Sequence, residues 1–219
     1  MKLKTLLLLI PLVFLSSCFE FIEEITYTDN EKGQCLITLN CSQSKIKLKN
    51  LMKLDTFMGL NIPNIEQVKI DIIKAKVLIG EIDGINSVIT SSDFENFIFT
   101  VKFNFDSTAS LNKALNAIAK VESTRHPIPY YNIYEKTNGQ FSRLKVPDDS
   151  TASKAVRQGN LSLITGATAT SIYRFTQPVK STSNTKALIS KNKLAVMLKQ
   201  PVTDIVKKPA LFSNTILFK

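Results

Sequence analysis

Alternation of period two and spacing of period three to four follow one another along this chain. FEFIEEITYTDNEKGQCLITLNCS reads as a β-hairpin: Phe19, Phe21, Ile25 and Tyr27 share one strand face, Glu23 interrupts it, and Asp29-Asn30-Glu31-Lys32-Gly33 supplies the turn. Residues 44–58 carry Ile46, Leu48, Leu51, Met52, Leu54 and Phe57 and predict a helical or broken-helical segment. A clearer helix is predicted over 65–79, with Ile65, Val68, Ile72, Ala75 and Ile79 inward and Glu66, Lys69, Asp71, Lys74 and Lys76 toward water. INSVITSS and FENFIFTVKFNFD then read as two strands about a Ser91-Ser92-Asp93 turn, the second with Phe97, Phe99, Val101, Phe103 and Phe105 on one face. The helix that follows turns Leu111, Ala114, Leu115, Ile118 and Val121 inward, with Ser107 or Ser110 as its cap.

The last third reads as β-rich. Residues 130–135 and 140–146 flank a turn at Asn138-Gly139, a strong hairpin signal. Residues 161–178 alternate and predict a strand bent at Gly166. A further hairpin about Lys191-Asn192, a helical turn over 202–207 and a last strand over 214–218 complete the pattern. Hairpins separated by helices predict an α+β fold, an antiparallel sheet with helices on one face. The expected organisation is a leader over 1–17, an α+β region over 18–125 and a basic β-rich region over 126–219, packed as one body.

The N-terminus changes where such a body should sit. Lys2 and Lys4 precede a run of about ten apolar residues, Leu6 to Leu15, which suits a secretory signal and is too short for the roughly 20 residues of a spanning helix. The run ends at Leu15-Ser16-Ser17-Cys18. This stretch resembles the bacterial lipobox, and the chain is similar to small Gram-negative envelope lipoproteins. The resemblance implies cleavage before Cys18, a diacylglyceryl group on its sulfur and, usually, a third acyl chain such as palmitate on the new amino terminus. Two or more chains anchor firmly where one is marginal. Phe19 rather than Asp follows the cysteine, which in that family favours the outer over the inner membrane. Structured-looking sequence starts at once, so the body is expected close to the lipid.

Charge adds a possible partner class. The chain carries a net +10, and residues 150–219 hold 11 Lys/Arg against a single acid, Asp204. This asymmetry suggests an acidic partner surface, a lipid or glycan or another envelope protein, rather than nucleic acid in an exported chain. Lys180, Lys186, Lys191, Lys193, Lys199, Lys207 and Lys208 are the candidate contacts.

Candidate chemistry is thin. His126 is the one histidine and stands beside Pro127 in a predicted loop, which speaks against multi-His metal sites and weakens any Ser/His triad. Cys35 and Cys41, on one face of a single strand, lie about 20 Å apart at strand rise, beyond disulfide reach, and are expected as buried free thiols. Glu23-Glu24 and Asp148-Asp149 point to opposite faces in strand geometry. Asp106-Ser107-Thr108 and Asp149-Ser150-Thr151 resemble short bacterial O-glycosylation sequons, making Ser107 and Ser150 candidate sites, with helix capping the competing role of Ser107. No cofactor and no metal are expected. The reading is a non-enzymatic structural or binding lipoprotein, with an apolar-ligand carrier on the Phe-rich face or an envelope hydrolase as alternatives.

Overall fold

A computed structural model of the chain describes residues 19–29, 31–57, 60–122, 130–145 and 164–219. Cys18, His126, Asp148-Asp149 and Ser150 lie outside the described residues. The order is β1 (Glu20–Tyr27), β2 (Gly33–Asn40), α1 (Lys45–Leu51), β3 (Thr56–Phe57), β4 (Leu60–Asn61), α2 (Ile65–Gly80), β5 (Ile85–Asp93), β6 (Ile98–Phe105) and α3 (Thr108–Glu122). There follow β7 (Tyr134–Lys136), β8 (Gln140–Arg143), β9 (Thr168–Arg174), β10 (Val179–Thr182), β11 (Leu188–Ile189), β12 (Ala195–Pro201), α4 (Val202–Lys207) and β13 (Asn214–Phe218). The fold is α+β, as the pattern predicts.

Seven strands form a sheet in the order β11-β12-β9-β1-β2-β6-β5, and four form a smaller one, β10-β13-β8-β7. The large sheet is mostly antiparallel, but β1 pairs with β9 in parallel, Glu20 opposite Thr168 and Thr26 opposite Arg174. Strands from the basic last third therefore complete the sheet begun by the first hairpin. Helices α2 and α3 pack together and against β5, and α3 also meets β6 and β7. Ile79, Leu111, Phe103 and Phe105 join Tyr134, Phe141, Val179, Ile216 and Phe218 of the small sheet in one hydrophobic core with Ile25, Tyr173 and Val196. Helices and small sheet thus share the inner face of the large sheet. On its outer face Glu24 pairs with Arg174 at 2.7 Å and Glu20 with Lys199 at 3.1 Å.

The interior is aromatic and close. Phe141 lies 4.8 Å from Tyr173 and 5.4 Å from Phe175, and Tyr27 packs edge-on against Phe105 at 5.4 Å. Such ring pairs add to the area they bury. Gly33 is required here: a Cβ would stand 2.4 Å from the Thr26 carbonyl oxygen and 2.6 Å from the Phe105 ring. Phe103 and Phe105 are buried within this filled core, so that end of the Phe row is packing.

Local differences from the predicted elements have identifiable causes. The segment over 44–58 yields only a 3-10 turn, Ser42–Ser44, and the seven-residue α1, because Thr56 and Phe57 pair with Asn61 and Leu60 instead of extending the helix. Ser91, Ser92 and Asp93 belong to β5. The turn comes later because the Asp93 carboxylate accepts hydrogen bonds from the backbone N–H groups of Glu95 and Asn96, both at 2.9 Å. Phe97, with φ of 56°, consequently ends the turn rather than opening the strand. Gly166, at φ of 81°, lies in a turn before β9, not in a bend within a strand. Helix α2 turns Ala75 and Ile79 fully inward, whereas Ile65 is exposed.

Candidate functional site

Two places gather polar chemistry, and they differ in access. The first lies between the two sheets. Glu23, the polar interruption on β1, is buried and accepts a short hydrogen bond from the Tyr134 hydroxyl and a 3.3 Å bond from that of Tyr173. Arg143 of β8 brings its Nε to 3.7 Å from the same carboxylate and lays its guanidinium 4.4 Å from the centre of the Phe212 ring. Burial, with Glu23 alongside, holds both tyrosine hydroxyls protonated well above their usual range. Burial opposes the charge of Arg143, but the Glu23 carboxylate outweighs it, and its net shift is upward. Four side chains from β1, β7, β8 and β9 thus tie the two sheets together. Glu24 points the opposite way, as strand geometry requires, and pairs with Arg174. Next to this cluster, buried Asn112 and Asn116 of α3 hold the incoming strand: Asn112 accepts from the Ile133 and Tyr134 N–H groups and donates to the Tyr134 carbonyl, and Asn116 exchanges bonds with Tyr131.

The second place is the end of the large sheet where β1 begins. The Phe19 carbonyl accepts a 3.0 Å hydrogen bond from the Thr168 N–H, so the backbone is fixed one residue after Cys18. Across the sheet this end carries Asn40 opposite Glu20, and Ile98 opposite Asn40. The Cys41 N–H donates to the Phe97 carbonyl at 2.9 Å, and the chain turns from there into α1. On the other side Pro201 pairs with Thr168, and α4 leaves from it.

Helix α1 buries no residue. Leu48, Leu51 and Met52 are half-buried, while Lys45, Lys47, Lys49 and Lys53 are exposed and Ile46 is 73% exposed. At 100° per residue Ile46 stands in the middle of the outward arc, flanked by Lys45, Lys49 and Lys53. No acid occurs between Cys41 and Leu54. Against α1 lies an open groove of about 630 Å³ whose lining includes Ile46, Met52, Ile65 and Phe97, with Lys49 and Lys53 beside them. Two nearby acids are engaged: Glu66 holds Lys69 at 2.7 Å, and Asp93 is occupied by its turn and lies in the field of Lys45.

The candidate lysines of the last third are all exposed, but the structure does not bring them together. Lys199 lies near the β1 start, bonded to Glu20, and Lys207 and Lys208 follow through α4. Lys186 reaches Gln200 at 3.3 Å in the same half. Lys191 and Lys193 sit in the β11–β12 turn at the opposite end, where the Val179 N–H donates to the Lys193 carbonyl and so places Lys180 nearby. The four lysines around α1 escape a charge count taken by thirds of the chain, because acids elsewhere offset them. The signal was local: KIKLKNLMK without an acid.

The remaining candidates resolve as follows. Ser107 caps α3: its Oγ accepts from the Ser110 N–H at 3.1 Å, and the Ser110 Oγ accepts from the Ser107 N–H at 3.1 Å. Cys35 and Cys41 are buried and free, and burial pushes the Cys41 thiol up to about 11. Among the described residues no group of His, Cys, Asp and Glu is placed to hold a metal, and no helix is long and apolar enough to cross a membrane.

No protein-family model and no curated protein sequence matches the chain. Among solved structures it is similar to the NMR structure of the folded domain of the Mycobacterium tuberculosis protein LppM, with a TM-score of 0.44 and 9% sequence identity, covering 91% of this chain and 89% of that one. A likeness this distant carries no function across.

Proposed function

We propose that this chain is a non-enzymatic envelope lipoprotein, held at a membrane through acyl groups on Cys18 and serving as a structural or binding component there. The lipobox supplies the anchor, and the Cys18-Phe19 pair favours the outer membrane. The observation that carries the reading is the fixed Phe19: β1 begins at Glu20 and the Phe19 carbonyl is already bonded to β9. An acylated Cys18 has no leash and holds the folded body directly against the headgroups. The non-enzymatic part is supported by the Glu23 cluster, the most strongly perturbed group of side chains, which lies sealed between two sheets where no substrate enters.

Intact-mass measurement of the mature protein from its own envelope tests this. The expected product begins at Cys18 and carries two or three acyl chains, and Cys18→Ser leaves an unacylated chain. A mature protein without acyl groups, or starting elsewhere, overturns the reading.

A further inference from the structure

The anchor position fixes which part of the body meets the bilayer. Strand β1 rises about 3.3 Å per residue, so its eight residues place the Thr28–Lys32 turn roughly 25 Å from Cys18. The opposite end, with α1, the groove and α4, is where an acylated chain must face lipid. This end carries Lys45, Lys47, Lys49 and Lys53 around the exposed Ile46, and its groove opens beside Met52 and Ile65. A short helix with an apolar residue at the centre of a lysine arc suits a membrane interface: the ammonium groups meet anionic headgroups while the apolar tip enters the acyl boundary.

We infer that this end of the seven-stranded sheet docks on an anionic phospholipid bilayer, with α1 as the contact helix. The inference rests on acylation at Cys18 for its geometry and adds a second, electrostatic attachment. The acyl chains set which end faces the membrane, and the lysines bring α1 into contact with it. Lys191 and Lys193, at the far end, take no part.

The test uses the acylated chain in vesicles of phosphatidylcholine with or without phosphatidylglycerol. A fluorophore is placed on Ile46→Cys or, as the distal control, on Glu31→Cys, Cys35 and Cys41 being buried. Quenching by lipids bearing a spin label in the acyl region reports contact. Strong quenching at position 46 and none at position 31 is expected with phosphatidylglycerol, and high salt should weaken the quenching at position 46. Replacing Lys45, Lys47, Lys49 and Lys53 by Gln should weaken contact roughly fivefold per lysine removed without releasing the protein from the vesicles. An acylated chain equally quenched at both positions, or indifferent to phosphatidylglycerol and salt, overturns the docking face and leaves the anchor standing. An acyl-free chain still quenched at position 46 by anionic vesicles removes the anchor and keeps the face; an acyl-free, unquenched chain removes both.

Discussion

The space between the two sheets and the end of the large sheet around α1 are built on opposite rules. In the first, aromatic rings and aliphatic side chains fill the volume, and Glu23 has two tyrosines and Arg143 as partners. In the second, a seven-residue helix buries nothing, a branched apolar side chain stands in water, and four lysines cluster in a stretch that contains no acid. Packing makes the interior a source of stability, and its buried charges are held against one another. Neither packing nor charge pairing of that kind is seen at the α1 end among the described residues.

Substitutions can break that contrast, starting with the interior. Glu23→Ala leaves Arg143 without its buried partner and should cost about 3–5 kcal/mol in urea denaturation; a loss below about 1 kcal/mol would mean the cluster behaves like a surface pair. Gly33→Ala drives a methyl group into the Thr26 carbonyl and the Phe105 ring, and overpacking of this kind costs about 1–3 kcal/mol, read as a lower unfolding midpoint. Ser107→Ala removes the α3 cap and should cost about 1 kcal/mol; mass analysis of the same residue decides whether it also carries a glycan, which its capping bonds disfavour.

The α1 end should respond in the other direction. Gln at Lys45, Lys47, Lys49 and Lys53 together should change folding stability by no more than about 0.5 kcal/mol per site, measured on the same urea curves. A large destabilisation would show that the lysines serve the fold and not a partner.

Burial also sets a pH limit on stability. Burial raises the Cys41 thiol from 9.0 to about 11, and burial raises Cys35, Tyr134 and Tyr173 too. In each case the folded state keeps a proton that the unfolded chain releases. Their stabilisation is therefore complete below the unfolded-state values and is lost as pH rises through the folded ones. For Cys41 that window runs from about 9 to about 11. The denaturation midpoint should fall across it, and a flat profile would mean these groups are reached by water.

How much of this was legible along the chain depends on distance. Helices α2 and α3, the β1–β2 hairpin and β13 are set by local spacing, and they stand where the periodicity places them. Glu23 was visible as a break in an apolar face, but its partners are not. Tyr134 is 111 residues away and Tyr173 is 150, and no local pattern joins them. The parallel pairing of β1 with β9 was hidden for the same reason. The α1 lysines were hidden differently, by averaging. Exposed Ile70, Ile73 and Val77 on α2 show a further limit: the inward stripe of that helix is readable, but which apolar residues remain uncovered depends on neighbours.

The position of β1 has a consequence for how the molecule is assembled. It lies in the middle of the large sheet with β2 on one side and β9 on the other. The first partner arrives within a few residues, the second only after the chain has extended to Thr168. Until then one edge of a strand rich in Phe, Ile and Tyr has open hydrogen-bonding groups, the condition that invites mispairing, and closing so long a loop slows folding. The strand that follows Cys18 is thus made early and secured late, and a folding helper bound to that edge would have until the arrival of Thr168 in which to act.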